Sequence, residues 1–409
     1  MAIGTQTLVP GQRGTYNTES TTQHIRDVED KMALLTPIPR PFSSLFFNDP
    51  LKNKVSTGIR GKFEWYEDAL LPSTATFTDA LTNGASSQVV HISADICRIG
   101  DVILVEPTDQ LLKVTAIAIG TVTVYPISGT ITGTGAGASI QIQSPAFAEG
   151  SAKAVAITVL AVLKYGYCQI IKHAITMTGN QQASAVYGTA SDWDYQQQKK
   201  LLEAELKIEN TFLNNGAGYT DGLTATAATD YTAGMNSLTS NVFSYPDPLS
   251  KSFFDASIAS ALANTTTNVT LMDNYKLYCG SSALMDMNAF MSNIWSIMQN
   301  SPSMKLEKFG ILSTSHADPK LVTYVHPMGV MLDVYYAPQL KGKYANDIVG
   351  VNPDNVQKRF VGPDKKGPRK YRLEMGIETP GADETDSQIL MNQGLQIRLE
   401  ETHFRIKKL

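Results

Sequence analysis

Apolar residues recur at helical spacing between Ser191 and Leu213, where Trp193, Leu201, Ala204, Ile208 and Phe212 form one stripe and Tyr195, Leu202, Leu206 and Leu213 widen it. The opposite face reads as polar. Ser191, followed three residues later by Asp194, is a capping-box pattern that fixes the start, and Asn214, Asn215 and Gly216 supply the stop. One helix of roughly 33 Å is predicted at about 1.5 Å per residue. A different period governs residues 86–148. There QVVHI, DVILVE, LLKVTAI, TVTVYPI and SIQIQ alternate and are separated by glycines, which predicts a small antiparallel barrel or sandwich. No charged residue occurs from Val114 to Ala148, so these strands are expected to be closed or covered by a partner. AVAITVLAVL and CQIIKHAITMT predict a second β pair.

Beyond the helix, residues 216–249 read as a connecting region and 251–263 as a helix. YKLYCG predicts a strand, and LMDMNAFMSNIWSIMQ a helix with Leu284, Met287, Met291, Ile294, Trp295 and Met298 on its apolar side. LVTYVHP and VMLDVYYAP read as strands, and QILMNQGLQIRLEETHFRIKKL as two strands turning around Asn392–Gly394. Near the start, LLTPIPRPFSSLF places Pro37, Pro39 and Pro41 beside Phe42, Leu45, Phe46 and Phe47. Alternating prolines oppose helix, so residues 1–60 read as an extended arm whose aromatics need cover; a loop packed on its own domain is the equal alternative. The fold class is α+β, with a long helix at about 191–213 and an inserted β module.

Composition adds a surface argument. The chain has 409 residues, 43% hydrophobic but only 18% charged, which suggests that neighbours cover much of it. A net charge of −4 gives no global attraction to DNA or anionic membranes. Cys97, Cys168 and Cys279 are too few for a disulfide framework, placing folding in a reducing cytoplasm. The start lacks the pattern of a signal peptide, and the longest apolar run, Ala154 to Leu163, falls short of the roughly 20 residues that span a bilayer. No membrane segment is expected.

Candidate chemistry is sparse. His24, His91, His173, His316, His326 and His403 are scattered, with no HExxH or CxxC pattern, so neither metal nor cofactor is expected. GTGAGAS at Gly133 lacks the phosphate-loop lysine and precedes a strand rather than a helix. Gly280-Ser281-Ser282-Ala283 lacks the second glycine of a nucleophile elbow. Glu64, Glu67 and Asp68 flank Trp65 and Tyr66 as a carbohydrate hydrolase's carboxylates would, but salt bridges to Arg60 or to a neighbouring chain are the favoured reading. The basic stretch from Lys341 to Arg372, including Lys358, Arg359, Lys365, Lys366, Arg369 and Lys370, lies beside Glu374, Glu378, Asp383, Glu384 and Asp386. Complementary contacts between subunits are favoured over DNA contact.

The arm with its aromatics, the EWYEDAL segment, the β excursion, AVYGTASDWDYQQQKKLLEAELKIENTFLNN and DIVGVNPDNVQKRF together resemble tailed-bacteriophage major capsid proteins with the Hong Kong 97 (HK97-like) fold. The resemblance implies an arm over residues 1–60 and an extended loop over 61–178 carrying the β module at about 86–148. It also implies a peripheral domain over 179–235, an axial domain over 236–345, and strands over 346–409 that return to the peripheral domain. It implies hexamers and pentamers closing an icosahedral shell around double-stranded DNA without sequence-specific binding or turnover chemistry. Portal, scaffolding and decoration proteins would be further partners, and the product would reside in the virion after assembly in the host cytoplasm. Arg40, Phe42, Phe46, Phe47, Trp65, Glu67, Lys365, Lys366, Arg369 and Lys370 are the expected subunit-interface residues. No catalytic residue is carried over. An encapsulin-like bacterial compartment shares the implied fold, and a phage tail or adhesion protein is the alternative of another class.

Overall fold

The computed structural model describes residues 39–58, 61–151, 153–154, 156–184, 191–220, 229–263, 273–289, 320–365, 367 and 369–409. These divide into two units, one of Lys172–Leu206 and Tyr371–Leu390, the other of Pro39–Ile171, Lys207–Lys370 and Met391–Leu409. In chain order the first elements are α1 (Pro41–Asn48), β1 (Asn53–Ser56), β2 (Lys62–Glu67), β3 (Thr74–Thr76), β4 (Gln88–His91), β5 (Asp101–Val105), β6 (Gln110–Ala118), β7 (Thr121–Pro126), β8 (Ser139–Pro145), β9 (Val162–Tyr167) and β10 (Gln169–Thr178). Then follow α2 (Gly179–Ala183), α3 (Asp192–Asn214), β11 (Tyr219–Thr220), β12 (Asp230–Tyr231), α4 (Met235–Leu238), β13 (Asn241–Tyr245), α5 (Lys251–Ala263) and β14 (Asp273–Cys279). The last are β15 (Lys320–Val325), β16 (Met331–Tyr336), β17 (Ile348–Val351), β18 (Val356–Val361), β19 (Arg372–Met375), β20 (Glu384–Ile397) and β21 (Phe404–Lys408). The mixture is α+β, dominated by strands.

Strands β3 to β8 form an antiparallel sheet in the order β3-β8-β5-β6-β7-β4. Its ends meet. Phe77 bridges Ile92, the Thr78 N–H donates to the His91 carbonyl, and the Ser93 N–H donates to that of Thr76, each at 3.0 Å. The sheet is therefore a closed barrel, which removes the free edges that its uncharged strands would otherwise present. Alternation explains the filling: Ile103, Val105, Leu112, Val114, Val122, Val124 and Ile140 point inward with Phe77, Val90 and Ile131 and form a core of their own. Two connectors carry the barrel on the antiparallel ribbon of β2 and β9, and they differ in length: residues 68–73 on one side, 146–161 on the other.

A second, mixed sheet runs β13-β21-β17-β14-β16-β15. Helix α5 covers it through Phe254, Ile258 and Leu262, which pack with Leu277, Leu332, Val334, Ile348, Phe404 and Ile406. The Ser250 hydroxyl accepts the Phe253 N–H at 3.3 Å and starts that helix. A further helical segment covers residues 281–289; the rest of its predicted length, with Met291, Ile294, Trp295 and Met298, lies outside the described residues. Strand β1 runs parallel to β18, Asn53 opposite Lys358, and β18 runs antiparallel to the second half of β20. In the other unit, β19 pairs with the first half of β20, Arg372 opposite Leu390.

Helix α3 begins where predicted, with the Ser191 hydroxyl accepting the Asp194 N–H at 3.3 Å. Burial concentrates in its second half, at Ala204, Ile208, Phe212 and Leu213, whereas Leu201 is exposed. Four expectations need correction. The proline-rich stretch holds a helix, α1, because Pro41 occupies its first position, where a missing N–H costs nothing. AVAITVLAVL is a strand only from Val162 onward, the residues before it having no partner strand among those described. The connecting region 216–249 contains β11, β12, α4 and β13. And Asn392–Gly394 is no turn: β20 runs straight through it, and the chain reverses at Leu399, in the left-handed region at φ 49°.

Candidate functional site

The aromatics after the prolines are seated in the chain's own interior. Phe42, Leu45 and Phe46 of α1 are buried; Phe42 meets Tyr278 edge-on at 5.2 Å, and Phe46 meets Phe212 of α3 at 6.1 Å. The N-terminus of α1 is met by a carboxylate. Glu209 of α3 accepts the N–H groups of Phe42 at 2.7 Å and Ser43 at 2.6 Å, and the Ser43 hydroxyl donates to it as well. Two donors orphaned at a helix start are thereby satisfied by an anion at the positive end of the helix. Phe42 and Phe46 are therefore sealed inside one chain, which corrects their expected place on a subunit interface. Arg40 sits half-buried just before α1; Phe47 lies in α1, its side chain outside the described set.

Electrostatics makes this seat unusual. Glu209 is wholly buried, and burial raises its pKa to about 7 against the pull of Ser43, the two N–H groups and Arg40. Lys358 of β18, its ammonium 6.0 Å from the Phe212 ring centre, is pushed down to about 7, chiefly by burial, with Lys370 adding to the fall and Glu209 opposing it. The sequence reading missed Glu209, although a signal existed: it falls between Leu206 and Leu213 on the second apolar stripe of α3. A carboxylate on an apolar stripe announces a buried partner.

The ribbon of β2 and β9 has two different faces. On one, Phe63 and Trp65 stack with ring centres 5.9 Å apart, and Glu67 accepts the Trp65 indole N–H at 2.7 Å and the Leu399 N–H at 2.8 Å. Lys164 pairs with Glu400 beside them. On the other, Tyr66, Leu163 and Tyr165 are exposed around a Lys62–Glu64 ion pair of 2.5 Å. Glu64 and Glu67, three apart in a strand, point to opposite faces, so they do not form the cleft pair that a hydrolase needs. Glu67 instead holds Leu399 in its left-handed turn. Glu67→Ala is expected to cost about 1–3 kcal/mol by leaving two donors without their acceptor, whereas Glu67→Gln, which keeps one amide oxygen, should stay within about 1 kcal/mol. Urea unfolding of the two variants checks this; equal losses would remove the hydrogen bonds as the cause.

Much of the basic stretch is satisfied internally. Arg369 lies 3.7 Å from Asp364, Arg372 2.5 Å from Glu374, and Lys370 over the Phe360 ring at 5.8 Å. Lys365 is exposed, and Lys366 lies outside the described residues. Among the described residues no three His, Cys, Asp or Glu side chains converge as a metal site would require. Cys97, Cys168 and Cys279 are buried, and burial drives all three thiols well above their ordinary range.

A family model described as SU10 major capsid protein matches residues 11–409. No curated protein matches the chain. Among solved structures, the capsid of an empty GTA particle is similar at 10% identity and TM-score 0.47, over 97% of this chain and 99% of that one. The capsid of Myoviridae phage XM1 is similar at 10% identity and TM-score 0.43, over 98% and 100%. The holo-SrpI encapsulin complex of Synechococcus elongatus PCC 7942 is similar at 7% identity and TM-score 0.40, over 60% and 76%.

Proposed function

This chain belongs to the SU10 major capsid protein family, and from that premise we propose that its copies form hexamers and pentamers which close an icosahedral shell around the double-stranded DNA of a tailed bacteriophage. The observation that carries this reading is the family match, which spans nearly the whole chain. The protein is a structural component of the capsid. Assembly takes place in the host cytoplasm, with portal, scaffolding and decoration proteins as further partners. We assign residues 1–60 to the arm, of which α1 and β1 are seated in the chain's own core and sheet, 61–178 to the extended loop bearing the barrel, 179–235 to the peripheral domain, 236–345 to the axial domain and 346–409 to the returning strands.

Physical features support the assembly reading. A two-stranded ribbon is marginal by itself, and this one turns Tyr66, Leu163 and Tyr165 outward, residue types that anchor interface cores. Trp65 and Glu67 fix the ribbon's inner face, so they position this contact and do not themselves make it. Of the basic residues Lys365, Lys366, Arg369 and Lys370, we assign the exposed Lys365 to orienting a neighbour by charge, since Arg369 and Lys370 already meet Asp364 and Phe360 within the chain. Electron microscopy of the protein expressed alone, with light scattering for mass, is expected to reveal closed shells or rings of five and six. A monomer or trimer at every concentration and salt would overturn the proposal.

A further inference from the structure

The segment before β9 has the composition of a strand, yet among the described residues no strand lies beside it. Residues Ala154 to Leu163 contain no charge and are rich in β-branched side chains, but pairing begins only at Val162, opposite Glu67. Upstream of it Ala156, Thr158 and Leu160 are exposed while Ile157 and Val159 are half-buried, the alternation of a strand with one covered face. Leu160 is 81% exposed. The cause lies in the connectors: opposite this segment the other arm offers only residues 68–73, including Pro72, which has no N–H to donate. The barrel is closed and gives no edge either.

The same chain carries an open edge elsewhere. Among the described residues strand β1 ends its sheet and pairs with a strand on one side only; its Val55 is exposed, and the Val55 carbonyl accepts an Arg359 guanidinium N–H at 3.4 Å, a bond that an incoming strand would replace. Beside it opens a cleft of about 460 Å³ lined by Val55, Ser56, Gly58, Phe63 and Arg359. Donor segment and acceptor edge are different surfaces, so a contact between them is head-to-tail, the kind that closes rings of identical subunits. We propose that Ile157–Ala161 completes its strand by main-chain pairing with β1 of a second copy of this chain. The inference rests on the shell reading, which makes a second copy the standing neighbour. An uncharged segment also suits strand addition, where the backbone supplies the affinity and alternate side chains fill pockets.

Hydrogen exchange on assembled particles and on the unassembled chain tests the pairing. Amides of residues 157–161 and of β1 are expected to slow at least tenfold on assembly. Thr158→Pro and Val159→Pro supply a second readout: neighbouring N–H groups point to opposite edges, so at least one variant should block or loosen shells while the barrel amides exchange as in the unmodified chain. Shells in which residues 157–161 exchange as fast as in the free chain would overturn the inference and leave the capsid reading standing. Equal protection in the free chain, or normal shells from both proline variants, would overturn it too. Wild-type protein that never assembles would instead strike the shell reading itself.

Discussion

Glu209→Ala is expected to destabilise the unassembled chain by about 3–5 kcal/mol, because the Phe42 and Ser43 N–H groups lose their acceptor inside the protein. Glu203→Ala, which removes a partly exposed ion pair with Lys200 on the same helix, should cost under about 1 kcal/mol. Urea unfolding at pH 8 measures both, and limited proteolysis around α1 reports whether the seat has opened. A loss below about 1 kcal/mol for Glu209→Ala would mean that α1 keeps its place without the carboxylate.

The same residue sets a pH dependence. With a folded pKa near 7 against an ordinary 4.5, Glu209 keeps a proton that the unfolded chain has released, so its contribution to stability declines as pH rises from about 4.5 to about 7. Lys358 works the other way. Its folded pKa near 7 lies below an ordinary 10.5, so the unfolded chain holds the extra proton and stability climbs between about pH 7 and 10.5. Together the two groups produce a minimum near neutrality. Glu209→Gln should flatten the acid limb and Lys358→Met the alkaline one. Arg40 and Lys370 are the other charges that act on the pair.

Gly394→Ala is the second large effect, at about 3 kcal/mol or more. A β-carbon there would stand 2.6 Å from the Tyr167 carbonyl oxygen, which belongs to backbone and cannot step aside, and 3.0 Å from the Phe63 ring. Gly135→Ala, with nothing within 4 Å, should be nearly neutral in the same thermal melt. If the two variants melt alike, the close approach at Gly394 is relieved by a backbone shift.

That glycine also marks where sequence reading stops. Asn392-Gln393-Gly394 has the composition of a turn, yet the glycine is there to let another strand come near, and only the fold reveals which neighbour that is. Periodicity was enough for the barrel strands, for α3 and for α5, since each carries its own alternation or stripe and a local start signal. It failed where the outcome depended on distant residues. Pro41 reads as a helix breaker until Glu209, far along the chain, receives the helix start; AVAITVLAVL reads as a full strand until connector length denies it a partner. The EWYEDAL segment does form a ribbon with an exposed aromatic face, while Phe42 and Phe46, which also read as interface anchors, are buried in the interior.

The closed barrel imposes an order in time. All its strands lie between Thr74 and Pro145, so it needs nothing from later residues and can fold while the ribosome is still working on the remainder. Strand β1 has no such freedom: its neighbour, β18, is roughly 300 residues downstream. Helix α1 likewise waits for Glu209 and Tyr278. A nascent chain therefore exposes a finished, edgeless barrel early and completes its open strand edge only when synthesis is nearly over.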